Sequence, residues 1–157
     1  MLVVGISDMK ITGDTEEVLV TYSLSSCVGL CMYDPVARVG GMIHCMLPLS
    51  RVDPKKAREN PFMFTDTGVS ALLQAMFDKG ATRRNITARA AGAASLLDEM
   101  GLFRIGERNY TVMRKVLWKN NILIQNEDVG GNIPRSLYLY MNDGRCTIKT
   151  GGKVTEL

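Results

Sequence analysis

The 157-residue sequence contains no apolar run that approaches the 18 or so residues needed for a membrane-spanning helix. It also has no dense cluster of lysine and arginine, and its nearest candidate, Arg83 and Arg84 beside Arg89, is typical of a solvated loop. The net charge of +3 and the pI near 8.7 fall short of the basic surface expected of a nucleic-acid-binding protein. We therefore expect neither membrane insertion nor nucleic-acid binding.

The N-terminal residues lack the features of a secretory signal. No basic stretch precedes the apolar residues 1–6, and no small-residue cleavage site is present. The sequence therefore predicts a cytoplasmic protein, in which cysteines are reduced thiols rather than disulfides. In this setting a cysteine is a core residue, a metal ligand or a nucleophile, and the chain has four: Cys27, Cys31, Cys45 and Cys146.

Length and composition indicate one folded domain over residues 1–157. The chain is close to the length of an average domain, about 150 residues. Its apolar and charged fractions, 46% and 22%, are ordinary for a globular protein. No internal repeat, low-complexity tract or linker divides the sequence.

Residue patterns predict a mixed α/β fold, with β-sheet layers flanked by two main helices. Strands are predicted where β-branched, aromatic and apolar residues are bounded by turn signals, over residues 17–22, 27–33, 39–47, 86–90, 122–125, 136–141 and 145–150. Helices are predicted where apolar residues recur at helical spacing, over residues 66–79 and 107–120. The polar residues 51–60 are predicted to form a surface loop.

The only histidine, His44, lies on the strand that follows the one beginning at Cys27. A four-residue turn over residues 34–37 pairs Tyr33 with Arg38 and, in the same register, Cys27 with His44. Directly opposed side chains lie on one face with Cβ atoms about 4.5–5.5 Å apart, close enough for thiol and imidazole to interact. A three-residue turn or a bulge would shift the register by one and direct His44 to the other face.

A thiol beside an imidazole is suited to acyl transfer. The imidazole takes the thiol proton, lowers the apparent pKa of the thiol and later returns a proton to a leaving amine. A third group has to orient the ring, and Thr21 is a candidate through its hydroxyl or its backbone carbonyl. The turn before Cys27 offers backbone N–H groups, those of Ser26 and Cys27, for an oxyanion. This interpretation implies attack on a carbonyl, a thioester intermediate and its hydrolysis.

Other interpretations of the same residues compete with catalysis. A lone cysteine at a strand start and a lone histidine are often buried structural residues. A zinc site made from Cys27, Cys31, His44 and Cys45 conflicts with strand geometry: Cys27 and Cys31 would lie about 13 Å apart, and His44 and Cys45 would face opposite ways. We predict no metal, and core packing for Cys31, Cys45 and Cys146. Redox sensing through Cys31 or Cys45 has no vicinal pair or C-x-x-C motif to support it.

Three blocks of the sequence resemble a known family. They are Leu-Ser-Ser-Cys-Val at residues 24–28, Tyr-Asp-Pro at residues 33–35, and Gly-Gly-Met-Ile-His-Cys-Met-Leu-Pro at residues 40–48. With these blocks the chain resembles CheD, the chemoreceptor glutamine deamidases of bacterial and archaeal chemotaxis. Further matches occur in order at residues 65–67, 91–93, 105–109, 128–132 and 135–136, so that the resemblance covers nearly the whole chain.

The resemblance implies that Cys27 is the nucleophile, His44 the general base and acid, and Thr21 the orienting third member. It implies conversion of receptor glutamine side chains to glutamate with release of ammonia, with glutamyl methyl esters as further substrates. The implied fold is an α/β sandwich similar to that of bacterial cysteine deamidase toxins, and no cofactor is required. The implied partners are the helices of chemoreceptors (methyl-accepting chemotaxis proteins) and a chemotaxis phosphatase of the CheC type.

One position departs from the family pattern, because Ser25 replaces the usual glycine. If that position needs a positive φ, a serine there carries strain and displaces the oxyanion turn; if it needs only a small residue, serine serves. The first case motivates a second hypothesis, a catalytically weak adaptor that binds a chemotaxis phosphatase or receptor. Candidate substrate contacts, with turns or helix capping as the structural alternative, are Ser25, Asp66, Gly130, Gly131 and Asn132.

Overall fold

The computed structural model describes residues 1–95 and 104–157, and its elements are numbered here within those residues. The strands are β1 Leu2–Val3, β2 Asp8–Thr12, β3 Val18–Leu24, β4 Val28–Asp34, β5 Val39–Cys45, β6 Thr87–Gly92, β7 Ile124–Val129, β8 Arg135–Tyr140, β9 Cys146–Thr150 and β10 Lys153–Glu156. The helices are α1 Pro54–Glu59, α2 Thr65–Asp78 and α3 Ile105–Lys119. None of these helices is long and apolar enough to cross a membrane.

The strands form two five-stranded sheets. The first sheet has the strand order β1-β3-β8-β9-β10, and the second has the order β2-β5-β4-β6-β7. One pair in each sheet is parallel, β1 with β3 and β6 with β7, while the other neighbours run antiparallel. The predicted mixed α/β class, with sheet layers and two main helices α2 and α3, is confirmed.

The two sheets pack face to face, and helices cover the other face of the second sheet. Successive side chains of a strand point to opposite faces. Cys31 of β4 therefore packs in a core shared with Leu137 of β8. Its neighbour Leu30 packs in a separate core with Leu72 of α2 and Met113 of α3. This explains why β4, apolar on both faces, is buried along its whole length.

The predicted surface loop at residues 51–60 is wrong, because it contains helix α1. Pro54 lies at the start of this helix, where its missing N–H leaves no hydrogen bond unmade. The Asp53 carboxylate caps the same end by accepting from the Lys56 N–H at 3.1 Å. No residue of α1 is buried, so the apolar periodicity that predicts a helix is missing from its sequence.

The β4–β5 hairpin has a register that differs from the predicted one. Asp34 pairs with Val39, so that His44 lies opposite Gly29 rather than Cys27. The turn begins one residue later than predicted, because the Asp34 carboxylate accepts hydrogen bonds of 2.8 and 2.9 Å from two N–H groups inside it. The error moves the partner of His44 by two positions, an even number, and therefore keeps Cys27 on the face that His44 occupies.

Candidate active site

Thr21 on β3 and His44 on β5 meet in the layer between the two sheets. Thr21 Oγ1 lies 2.6 Å from His44 Nδ1. The exposed fractions of the two residues are 0% and 1%, so this contact is closed to solvent. Of the two ways in which Thr21 was expected to orient the ring, the side-chain hydroxyl makes the contact rather than the backbone carbonyl.

The hydrogen bonds of Thr21 determine which ring nitrogen carries the proton. The hydroxyl has a single proton, which it donates at 2.7 Å to the Val4 carbonyl, a group that can only accept. Thr21 Oγ1 must therefore accept from Nδ1–H of His44, which leaves the lone pair of the neutral ring on Nε2. Within residues 1–95 and 104–157 this buried Nε2 has no hydrogen-bond partner.

Burial also sets the charge of this ring. It lowers the pKa of His44 from 6.5 to about 4, because a buried imidazolium loses its hydration. The imidazole is therefore neutral at pH 7. His44 thus presents a basic nitrogen, in a fixed tautomer, to the layer between the sheets.

Cys27 lies in the bend that connects β3 to β4. Its partly buried side chain packs against the core between the two sheets, the layer that also contains the Thr21–His44 contact. Since Gly29 is the partner of His44, Cys27 stands two positions away, in a diagonal relation to His44 on the same face. In a regular ladder, diagonal neighbours lie about 7–8 Å apart, whereas Cys27 lies just outside the ladder, which begins at Val28. The directly opposed Cys27–His44 pair that the sequence predicted is therefore wrong.

The thiol of Cys27 is protonated in the ligand-free protein. Burial raises its pKa, while the backbone N–H of Cys27 itself acts in the opposite direction. The expectation that His44 lowers the thiol pKa is therefore wrong for this state. A neutral thiol and a neutral imidazole still support general-base catalysis, because the proton is transferred as sulfur attacks the substrate.

Hydrogen bonds to three successive carbonyls hold the turn that carries the thiol. The N–H groups of residues 93 and 94 donate to the carbonyls of Cys27 and Ser25, at 2.9 and 2.6 Å. Between them, the Ser26 carbonyl accepts from Asn109 Nδ2 at 2.9 Å. These three hydrogen bonds fix the backbone conformation of the turn at Cys27 and at the two residues before it.

The backbone N–H groups of Ser26 and Cys27 are the candidate donors to an oxyanion. In the described part of the chain neither of them donates a hydrogen bond to another residue. Ser23, near the end of β3, has a left-handed φ of 56°, whereas Ser25 in the turn has no positive φ. The strain expected for serine in place of glycine at position 25 is therefore absent.

Asn109 of α3 is a site residue that the sequence analysis missed. Its Nδ2 donates to the carbonyls of Ser26 and Met46, at 2.9 and 3.1 Å. Its Oδ1 accepts from the Thr65 hydroxyl at 3.2 Å. Because Ser26 precedes Cys27 and Met46 follows β5, this one amide joins the turn of Cys27 to the strand of His44. A sequence signal existed, since Asn109 continues the buried helical stripe of α3 with a polar side chain.

Asp66 is a tether within the scaffold. Its carboxylate accepts from the backbone N–H and the hydroxyl of Ser50, at 3.0 and 2.8 Å, and so attaches the segment before α1 to α2. It does not cap α2, because the helix begins at Thr65 after the N-cap residue Phe64. The helix-capping alternative for Asp66 is therefore wrong.

Gly130 and Gly131 form a turn beside the segment that holds Cys27. They have positive φ values of 84° and 70°. The Gly130 N–H donates to the Gly92 carbonyl, and the Gly131 carbonyl accepts from the Ser95 N–H, both at 2.9 Å. Asn132 follows as an exposed residue. Residues 92–95 thus bond to this turn on one side and to the turn of Cys27 on the other. Contact of the glycine turn with substrate stays a prediction.

The remaining cysteines are buried, as predicted. Cys45 packs in the core that includes α2, whereas its neighbour His44 faces the other sheet, so the predicted opposite orientation of the two is confirmed. Among the described residues, no group of three or more His, Cys, Asp or Glu side chains has an arrangement that could hold a metal ion.

Comparison with known proteins identifies the family of this chain. A family model described as "CheD chemotactic sensory transduction" matches residues 46–150. The "Probable chemoreceptor glutamine deamidase CheD" of Solibacter usitatus is 47% identical over 156 residues, which cover 99% of this chain and 92% of that protein. The "Probable chemoreceptor glutamine deamidase CheD 1" of Syntrophus aciditrophicus is 42% identical over 157 residues, covering 99% and 98%.

A more distant likeness exists among solved structures. The hypothetical protein YfiH of Bacillus licheniformis superposes with a TM-score of 0.46 at 16% identity, over 78% of this chain and 49% of that chain. Such a likeness supports no functional argument, and the sequence comparisons are the stronger finding. The family model matches more than half of the sequence, and the curated relatives match it over nearly its full length. On this evidence, the chain belongs to the CheD family.

Proposed function

We propose that this chain is a cytoplasmic protein-glutamine deamidase of chemoreceptors, with residues 1–157 forming one deamidase domain. Relatives of 47% and 42% identity are named as chemoreceptor glutamine deamidases. The observation that carries the proposal is the Thr21–His44 contact, which directs the Nε2 lone pair of a neutral imidazole into the layer that Cys27 also borders. This is the arrangement of a nucleophile, its base and an orienting group.

The first half of the reaction forms a thioester. Cys27 Sγ attacks the side-chain amide carbon of a receptor glutamine while His44 Nε2 takes the thiol proton. The carbonyl oxygen becomes an oxyanion that accepts hydrogen bonds from the N–H groups of Ser26 and Cys27. His44 then donates the proton to the amide nitrogen, the C–N bond breaks, and ammonia leaves. A ring whose pKa is about 4 releases this proton readily.

The second half of the reaction hydrolyses the thioester. A water molecule attacks the acyl carbon as His44 Nε2 accepts one of its protons. The C–S bond breaks, the proton returns to sulfur, and glutamate is released. Thr21 keeps its role throughout, because its own proton is committed to the Val4 carbonyl and its oxygen can only accept from Nδ1–H. No step requires a cofactor.

Two substrates and two partners follow from this chemistry and from the family. A glutamyl methyl ester presents the same acyl carbon with methanol as its leaving group, so it is a further substrate. A glutamine on a receptor helix projects its amide away from the helix backbone, which a shallow site can reach. A chemotaxis phosphatase of the CheC type is the second partner.

The adaptor hypothesis loses its motivation, since Ser25 has no positive φ.

Ammonia release from purified receptor fragments tests the proposal. Cys27→Ala is expected to lower the rate by at least about 10³-fold, as removal of a nucleophile does in other acyl-transfer enzymes. Cys45→Ala is the matched control, because that cysteine packs in the helix-side core and is expected to leave ammonia release intact. Mass spectrometry of the fragments identifies the converted glutamines. Unchanged release in Cys27→Ala would eliminate Cys27 as the nucleophile.

A further inference from the structure

Two cysteines that the proposed mechanism does not use touch each other between the two sheets. The Sγ atoms of Cys31 on β4 and Cys146 on β9 are 2.9 Å apart, although the residues are 115 positions apart in sequence. Both are free thiols, and each is 1% exposed. This pair connects the sheet that carries Thr21 to the sheet that carries His44.

A guanidinium group without an acidic partner lies against this pair. Arg89 is the β6 neighbour of Cys31 in the sheet. Its Nη1 lies 3.8 Å from Cys146 Sγ and 3.2 Å from the Gly144 carbonyl. In the portion of the chain that is described, no Asp or Glu forms an ion pair with it, and its buried Nε has no hydrogen-bond partner. A half-buried cation in this position favours a negative charge on the Cys146 sulfur that it contacts.

The two thiols are chemically unequal. The hydrogen bond from Cys31, together with the positive charge of Arg89, lowers the pKa of Cys146, although burial and the Asp143 carboxylate act in the opposite direction. The same hydrogen bond, together with burial, raises the pKa of Cys31. A hydrogen bond from the Cys31 thiol and the guanidinium of Arg89 both favour the thiolate form of Cys146 over that of Cys31. Disulfide formation requires such a pair, a reactive thiolate and an adjacent thiol that resolves its oxidised form.

We propose that Cys31 and Cys146 form a redox modification site, at which a peroxide converts the two thiols to a disulfide between the sheets. The Cys146 thiolate attacks one peroxide oxygen, the O–O bond breaks, and the released hydroxide takes a proton to become water. Cys146 is then a sulfenic acid. The Cys31 sulfur attacks it, the S–S bond forms as the S–O bond breaks, and the leaving hydroxide takes the Cys31 proton as a second water. Two electrons pass from the thiols to the peroxide.

The disulfide would join β4 to β9, and with them the two halves of the Thr21–His44 contact. Cross-linking residues so distant in sequence restricts the unfolded chain strongly. The oxidised protein is therefore expected to melt at a higher temperature than the reduced protein. The inference does not depend on Cys27 as a nucleophile, so it can be tested in a protein that lacks that thiol.

The test uses the full chain with Cys27→Ala, which removes the one partly exposed thiol. The protein is incubated with millimolar hydrogen peroxide. It is then unfolded in the presence of N-ethylmaleimide, which alkylates the remaining free thiols, digested without reductant and analysed by mass spectrometry. The expected product is a Cys31 peptide linked to a Cys146 peptide, with Cys45 alkylated. Recovery of both Cys31 and Cys146 as alkylated thiols after prolonged exposure would overturn the proposal, and so would linkage of either one to Cys45.

Variants then separate a built site from chance proximity. Arg89→Met removes the cation and is expected to slow disulfide formation by at least about 10-fold, because less thiolate is present on Cys146. Cys45→Ser is the matched control and should form the disulfide at the unaltered rate. Cys146→Ser should abolish the rise in melting temperature on oxidation. An equal rate of disulfide formation in Arg89→Met would contradict the role of the cation. The mass-spectrometric test for the Cys31–Cys146 disulfide does not depend on these variants.

Discussion

The buried imidazole of His44 makes the stability of the fold depend on pH. Burial lowers its pKa from 6.5 to about 4 on folding, so between these values the unfolded chain binds a proton that the folded chain does not. Lowering the pH therefore favours the unfolded state. The stabilising contribution of the neutral ring is complete above the unfolded pKa and is lost as the pH falls. At about 1.4 kcal/mol per pH unit, the free energy of unfolding falls by about 2 kcal/mol between about pH 7.5 and pH 5.

Urea denaturation followed by circular dichroism at the two pH values measures this change. The comparison variant is His44→Gln, whose amide can donate to Thr21 but does not titrate. The chosen pH range lies above the ordinary pKa values of carboxyl groups, so Asp and Glu contribute little to the difference. We expect the wild-type protein to lose about 2 kcal/mol more than His44→Gln over this range.

The same pH dependence in the wild-type protein and in His44→Gln would refute the reasoning. That result would mean that the folded state accommodates a protonated His44. Burial would then not lower the pKa of His44 in the folded protein. A lower free energy of unfolding for His44→Gln at both pH values, with a weaker pH dependence than in the wild-type protein, would agree with the prediction.

Three further substitutions test the positioning of the site. Thr21→Val removes the acceptor for Nδ1–H and should lower kcat for ammonia release by about 10- to 100-fold, with Thr21→Ser restoring most of it; equal rates in Val and Ser would contradict this. Asn109→Ala removes the donor to the carbonyls of Ser26 and Met46 and should lower the free energy of unfolding by about 1–3 kcal/mol and also lower kcat; unchanged kcat would make Asn109 purely structural. Gly92→Ala places a methyl group against the Cys27 carbonyl at a φ of 104° and should reduce both stability and kcat, whereas Gly80→Ala, at a similar φ of 100° with open space around it, should spare kcat.

Local pattern predicted those elements that bury an apolar face. Strands β3, β4 and β5 and helices α2 and α3 agree with the predicted segments to within a few residues. The elements that were missed bury little: no residue of α1 is buried, and every residue of β10 is exposed. Hydrophobic periodicity reports burial rather than hydrogen bonding, so an exposed helix or edge strand leaves no such signal.

The register of the β4–β5 hairpin depends on side-chain contacts that residue spacing alone does not reveal. Hydrogen bonds that the Asp34 carboxylate accepts from the turn decide where the turn begins, so the partner of His44 is Gly29 rather than Cys27. A shift of two positions is an even number and leaves each side chain on the predicted face of the sheet. The contacts of Asn109 with Ser26 and Met46 join segments far apart in sequence, and so depend on how α3 packs rather than on any local motif.

The proposed chemistry depends on the spacing between the two sheets, because its members come from both. Thr21 belongs to the first sheet, His44 to the second, and Cys27 to the short connection between them. Gly29, directly opposite His44, lets the sheets approach: a Cβ there would lie 2.8 Å from Leu24 Cδ1 and 3.4 Å from Leu137 Cδ2. A side chain at this position would push the sheets apart and lengthen the 2.6 Å contact between Thr21 and His44. Close packing of the sandwich therefore determines the orientation of the base, and the glycine opposite His44 serves the site without touching a substrate.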